Sequence, residues 1–403
     1  MSLPVRKTNA KIQQVIKDLK EITAHPIDAS KVHIENPIGC VQVPVGLAGP
    51  LRVWETSAAG EECEEVYAPL ATTEAALVAS CCRGCKAFNR SGGIHIVALY
   101  DAMAKQGIPS IHPSHLSRCP AFIFDTPADA LAFAQQVPAF HSEFKRLAES
   151  TSRRIQFLSV TPTVLGSATH LRFNYRCGDA AGQNMATIAT HRACHGLLLD
   201  TPLREELKIR NFQFEGGMSA EKRASWSHTK EPHGVESLAW GVVTNEVAEE
   251  LLGCSTETIY QGLSRAQTAA VRQGGYGFSG NPMNIVTAIF IATGQDVASI
   301  AESCWAQLTP EYNYETKVLT LSLYIPSLPV GVVGGGTHLG PQREALDIMK
   351  CSGPGKKRRL AALMTAFALA LDLSTVAAMA NDTFSQAHSR LRRKPVAGTK
   401  AKL

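Results

Sequence analysis

The chain has 403 residues, enough for roughly two or three structural units and a sizeable core. Apolar residues make up 45% and charged residues 19%, the balance of a soluble globular protein, and a net charge of +5 is too small for this length to argue for nucleic acid. Met1 is followed by no apolar run, so no secretory signal is expected.

Taken in chain order, Ile12, Val15, Ile16, Leu19 and Ile22 recur at helical spacing and predict a packing or subunit-contact face. From Glu35 to Leu51 the chain is apolar but broken by Pro44, Gly46, Gly49 and Pro50, which predicts a shaped loop pressed against a subunit or a ligand. Residues 56–65 read as a polar, acidic loop. In Ala71–Ser80, Thr72 and Thr73 are candidate caps for a helix whose first turn holds Glu74, a single carboxylate in a small, apolar setting. The helix dipole favours its ionised form, so proton donation near neutral pH requires strong desolvation. The alternative is a solvated first-turn glutamate. Cys81, Cys82 and Cys85 crowd into this helix without a second Cys or His pair at ligand spacing. Together with an odd total of eleven cysteines, this predicts reduced, mostly buried thiols and no metal.

Residues 94–105 read as a helix with Asp101 and Lys105 one turn apart. From about Gly107 to Phe212 the pattern changes to short mixed elements, with strands at Ala121–Phe124 and His170–Tyr175, and predicts a smaller inserted domain. Within it, Cys177–Met185 follows a strand and opens a helix. A glycine-bearing helix N-terminus suits a pyrophosphate, although G-x-G-x-x-G is absent, and a plain strand-to-helix turn is the alternative. Ser152 and Arg153 are candidates for a further phosphate contact.

Phe214–Arg223 is a glycine-containing turn ending in charges. Lys222 is a candidate oxyanion stabiliser if a closed site holds it, and otherwise a surface lysine beside Glu221. Residues 284–293 predict an apolar helix with Asp296 just past its end, where the dipole disfavours a carboxylate. Leu319–Tyr324 reads as a strand, and Gly331–Thr337 as either a tight turn or a close approach of backbone to backbone or ligand. Residues 341–380 are mostly helical and close the core. Asp372 interrupts the Ala-rich stretch from Leu360, which predicts a buried helix rather than a membrane span, and Lys356–Arg359 reads as its solvated start. His388 falls in a polar tail.

Together, these segments resemble the 3-hydroxy-3-methylglutaryl-CoA reductase (HMG-CoA reductase) family, in order from about Glu35 to His388. Glu35–Leu51, Ala71–Ser80, Gly178–Met185, Asn284–Asp296 and Gly331–Thr337 carry the resemblance most strongly. It implies an α+β fold: a large domain (31–106 and 213–403) behind an N-terminal helical segment (1–30), with a small cofactor-binding domain (107–212) inserted. It implies reduction of a thioester to an alcohol with two molecules of NADPH, in a homodimer or tetramer whose active sites are shared between subunits. Glu74, Lys222, Asp296 and His388 match the catalytic positions. Lys222 would stabilise the oxyanion, Glu74 would protonate the carbonyl oxygen, Asp296 would link the two, and His388 would protonate the departing CoA thiolate. Ser152, Arg153, Asp179, Ala181, Gly182, Gln183, Asn184 and Met185 match cofactor positions, and Lys105, Glu215, Glu221, Arg223 and Asn284 match substrate positions.

The chain departs from the family's substrate loop, Ser-Gly-Asn-Tyr-Cys-Thr-Asp-Lys-Lys, with Glu215 for the Ser and Glu221 for the Asp. Lys105 stands for an Arg that grips the substrate carboxylate, a second Lys falls at Ser264 or Arg265, and Asn281 replaces a His. Glu215 is expected to weaken an anionic substrate tail. HMG-CoA is therefore the first substrate expected, another acyl-CoA thioester the second, and a non-reductive binding scaffold the third reading. Ala401-Lys402-Leu403 resembles a peroxisomal Ser-Lys-Leu address, with a basic tail as the alternative.

Overall fold

The computed structural model describes residues 20–22, 34–57, 60–99 and 115–385. Most of the N-terminal apolar stripe, Asp101, Lys105, His388 and the terminal tripeptide lie outside these residues.

The helix Lys357–Ala380 organises the larger core. Ala, Leu, Met and Phe occupy nearly its whole circumference, so it buries on every side: 94% of its most apolar stretch is buried. Among the described residues it is the single helix long and apolar enough to cross a membrane. It packs against the helices Leu77–Arg90 and Pro282–Thr293 and against one face of a six-stranded sheet. Gly84 faces the backbone of Ala370 so closely that a Cβ would collide with its carbonyl, which lets the helices Leu77–Arg90 and Lys357–Ala380 touch.

The sheet runs in the order Gln307–Asn313, Val318–Leu328, Val235–Val243, Ile94–Ala98, Val45–Ser57, Gly60–Ala71. Its neighbours are antiparallel except for the pair of Val45–Ser57 with Ile94–Ala98. Period-two burial orients it: Leu51, Val53, Ile94, Ile96, Ala239, Leu321 and Leu323 are fully buried, while Trp54, His95 and Trp240 stack in a row on the other face.

A second sheet lies between Leu116 and Gln213. The strand Ala168–Arg176 pairs with Gln156–Leu165 on one side. On the other it pairs with two short strands, Leu116–Arg118 and Ala121–Ile123, the latter carrying Asn211–Gln213 at its edge. Pro120, which has no N–H to donate, sits at the break. The helices Pro127–Gln136, His141–Glu149 and Gln183–Cys194 cover this sheet around Phe122, Phe133, Phe144, Phe173 and Tyr175. The arrangement is α+β, with two separate hydrophobic cores.

Four local expectations change. Residues 94–98 form a central strand rather than a helix, because Ile94 and Ile96 alternate inward with His95 and Val97 outward. The expected loop before Leu51 becomes a strand from Val45, which absorbs Gly49 and Pro50 as a register shift between Ala48 and Leu51. The expected acidic loop at 56–65 is mostly strand, with Thr56 opposite Glu61. The start of the long helix is not solvated: Lys357 and Arg359 are buried, Arg359 against Glu55 and Glu64.

Candidate active site

The strand Ala168–Arg176 delivers the chain to Cys177–Gly182, and the helix Gln183–Cys194 begins there. Gly182, at φ 92°, makes the sharp entry that a Cβ would oppose, and no side chain caps the first turn. These amide groups border a cavity of about 620 Å³, lined by Ala180–Met185, Lys222, Gly294–Asp296, Gly331 and Val333–Thr337. A helix N-terminus with open N–H groups is a ready anion site.

The turn itself is held from outside. The Val332 N–H donates to Asp179 O (2.9 Å), and the Gly355 N–H donates to Asp179 Oδ2 (2.9 Å). Lys357 Nζ donates to the carbonyls of Ala180 (2.9 Å) and Gly178 (3.4 Å), and burial pushes its pKa down to about 8. Gly331 is the close approach foreseen in the glycine run: a Cβ there would lie 2.6 Å from Ala181 N. Gln295 locks Gly331 with a bond to its carbonyl (2.9 Å) and one from its amide (2.8 Å). Asp179 therefore shapes the turn, while Ala181, Gly182, Gln183, Asn184 and Met185 line the cavity. Ser152 and Arg153 do not line it. They precede Gln156, which pairs with Arg176 at the same end of the sheet, and Arg153 is exposed.

Lys222 and Asp296 meet on this cavity, Nζ to Oδ2 at 2.7 Å. Asp296 follows the helix Pro282–Thr293 as expected, but its side chain faces the next element. Its Oδ1 accepts the Ala298 N–H (3.1 Å) and caps Val297–Ser303, an end where the dipole favours the carboxylate. Lys222 itself has φ 54° and Ala220 φ 57°, both in the left-handed region.

Glu74 stands elsewhere. The helix starts at Leu77, so Glu74 precedes it rather than occupying its first turn, and Thr72 Oγ1 accepts the Glu74 N–H (2.9 Å). Asn284 Nδ2 donates to both Glu74 oxygens (2.8 and 2.9 Å), which makes Asn284 an orienter of that carboxylate. Glu74 lines a different cavity of about 270 Å³, with Arg83, Asn281 and Phe384. In a single chain Glu74, Lys222 and Asp296 are all exposed.

Of the remaining described substrate candidates, Glu215 is engaged inside its own loop and Glu221 by a remote arginine. Glu215 accepts from the Gly217 N–H (2.9 Å) and the Ser219 hydroxyl (2.9 Å). Glu221 pairs with Arg118 at 2.9 and 3.1 Å, and burial raises its pKa. Arg223 is exposed and offers its carbonyl to His228 (3.1 Å). Sequence reasoning missed Arg118, Lys357, Gln295 and Glu302, whose partners at the site are remote along the chain.

A family model described as hydroxymethylglutaryl-coenzyme A reductase matches residues 5–393. The chain belongs to that family. Among hydroxymethylglutaryl-coenzyme A reductase relatives, the enzyme of Haloferax volcanii is 36% identical over 374 residues, covering 91% of this chain and 87% of the relative. That of Pyrococcus abyssi is 34% identical over 393 residues, covering 93% and 89%. The solved class II enzyme of Streptococcus pneumoniae, described as bound to NADPH in open conformations, shares the fold with a TM-score of 0.63 at 17% identity, covering 92% of each chain.

Proposed function

We propose that this member of the HMG-CoA reductase family reduces HMG-CoA to mevalonate with NADPH. The observation that carries the reading is the Lys222–Asp296 pair on the same cavity as the open N-terminus of Gln183–Cys194. The cavity fits a nicotinamide dinucleotide: the first-turn amides suit its pyrophosphate, and Gly334 and Gly335 leave open space where a Cβ would stand. Two NADPH molecules, bound in turn by these residues, would supply one hydride each, the first for reduction of the thioester and the second for reduction of the aldehyde.

The chain's own groups do the rest. The Lys222 ammonium stabilises the oxygen that gains charge, and Asp296 keeps that ammonium oriented. Glu74, oriented by Asn284, supplies the proton to that oxygen. His388 would protonate the departing thiolate, Lys105 would meet the substrate carboxylate, and Ser152 and Arg153, outside the cavity lining, would lie near the phosphate that marks NADP. These three roles, carried by four residues, rest on the family resemblance. In the same reading, 107–212 is the cofactor domain.

Glu74 and Lys222 line different cavities of one chain, which supports a site completed between two copies. The exposed apolar segment before Glu74, with Val41 78% and Val45 62% exposed, supports a second copy packing there. A peroxisomal location is supported by the residue types at 401–403 alone, and masking Leu403 without relocating the protein would overturn it.

The test is NADPH oxidation by the purified protein with HMG-CoA, with mevalonate identified as product and Lys222→Met as the inactive control. Glu215 favours a second reading, the same chemistry on another acyl-CoA, because it places a carboxylate in the substrate loop. Turnover of another acyl-CoA with none of HMG-CoA would select it.

A further inference from the structure

Behind the Lys222 loop lies a chain of buried polar groups that the reaction scheme above does not use. Ser117, His228, His233 and Glu302 are all at most 2% exposed. Glu302 Oε1 accepts the Lys222 backbone N–H (3.0 Å), and Glu302 Oε2 accepts from His233 Nδ1 (2.5 Å). Burial, the His228 ring and the nearby guanidiniums of Arg172 and Arg118 hold the His233 pKa well below its usual value, which favours the neutral ring. With Nδ1–H given to the carboxylate, Nε2 accepts from the Ser117 hydroxyl (2.6 Å). His228 Nε2 donates to the carbonyls of Ala220 and Arg223, each at 3.1 Å, and so bridges the same turn.

This order has a geometric consequence. Lys222 and Ala220 both adopt φ values that side-chain-bearing residues hold only when the surroundings over-determine them. The surroundings that do so belong largely to one short element. Val297–Ser303 is capped by Asp296, which meets Lys222 Nζ, and carries Glu302, which meets the Lys222 N–H. One seven-residue helix thus holds the lysine at both ends.

We propose that Glu302 is a positioning residue for the reduction: held by His233 and Ser117, it fixes the Lys222 main chain so that Nζ stays on Asp296 and at the reacting oxygen. The inference rests on the reading of Lys222 given above. His228, His233 and Glu302 also stand close enough to share a metal ion, their ligand atoms lying within 4.8 Å of one another. A proton is the better occupant. Both His233 nitrogens and both Glu302 oxygens already have partners, and Arg118 and Arg172 make the surroundings unfavourable to a dication.

The test compares variants of the full chain in steady-state turnover. Glu302→Ala is expected to lower kcat at least tenfold with KM for NADPH within about twofold, since the Glu302 carboxylate makes no direct bond to the Cys177–Gly182 turn. Glu302→Gln keeps an acceptor for the Lys222 N–H, and His233 can turn to its other tautomer, so most of kcat should return. Wild-type kcat in a folded Glu302→Ala protein, or a Gln variant no better than Ala, overturns the proposal. If Glu302→Ala does not fold, Ser117→Ala decides: kcat falls severalfold with KM for NADPH unchanged, and an unchanged kcat is fatal. Stoichiometric zinc in the purified protein overturns the hydrogen-bonded account. Lys222→Met separates the two readings: if it remains active, the role given to Lys222 fails; if it is inactive while both Glu302 variants behave as wild type, only the positioning inference fails.

Discussion

Arg118 grips Glu221 at two points, Nη1 to Oε2 at 2.9 Å and Nη2 to Oε1 at 3.1 Å, and also holds the start of the helix Gln183–Cys194. Nη2 reaches the Gln183 carbonyl (3.0 Å) and Nε the Thr187 hydroxyl (2.9 Å). The planar fork serves the Lys222 loop and the Gln183 turn together, which a lysine cannot do. Arg118→Lys should therefore raise KM for NADPH and lower kcat, each by about tenfold, the scale of a lost charge-assisted hydrogen bond. Initial rates over a range of NADPH concentrations check it. A change in kcat alone would show that the two ends are not linked.

The proposed sharing of the site between copies predicts complementation. Lys222→Met and Glu74→Gln should each be inactive as homo-oligomers. Mixed and allowed to exchange subunits, they should recover about a quarter of wild-type activity, because half of randomly formed dimers are mixed and each mixed dimer has one intact site. No recovery, in samples where exchange is shown directly, would place both groups in one chain's site.

Lys357→Met removes the donor to the Gly178 and Ala180 carbonyls while keeping most of the buried side-chain volume. Two carbonyls beside the cofactor turn then lack their partner, a cost of about 1–3 kcal/mol apiece when buried. NADPH affinity, measured by its fluorescence, should drop about tenfold or more, with a lowered thermal midpoint. Unchanged affinity would show that the turn holds its shape without the lysine.

Asp372 is fully buried in the central helix and accepts the Gly280 N–H (3.0 Å) and the Asn281 N–H (2.5 Å), just ahead of the helix that carries Asn284. Burial raises its pKa to about 7, above the value of about 3.9 for an unfolded aspartate. Between these values the folded state binds more proton than the unfolded state. The stabilisation is therefore fully present below about pH 4 and lost as pH rises through 7, at up to about 1.4 kcal/mol per pH unit. Urea midpoints measured from pH 4 to 8 should fall more steeply for wild type than for Asp372→Asn, and parallel curves would refute this.

Much of this protein is readable from one dimension. The apolar run from Leu360 calls for a buried helix, the turn at Cys177–Met185 calls for a strand before and a helix after, and the order of segments from Glu35 to His388 resembles one family. These are local periodicities and turn chemistries, and they survive folding because each is satisfied within a few residues. Residues 94–98 failed the same test because five residues with two buried isoleucines carry too little period to separate helix from strand, and pairing with Val45–Ser57 and Val235–Val243 decided it.

The residue types from which the site is built were determined by the sequence: Glu74, Lys222 and Asp296, and a glycine-bearing turn before Gln183. What each of them faces was decided only in three dimensions. Arg118 meeting Glu221, Lys357 meeting Ala180 and Glu302 meeting the Lys222 amide join segments far apart along the chain, and no local pattern encodes such a pairing. The physical reason is desolvation. A charge read from sequence is free to stay in water, and only the packing of both cores around these loops removes the water and obliges each charged group to find a protein partner.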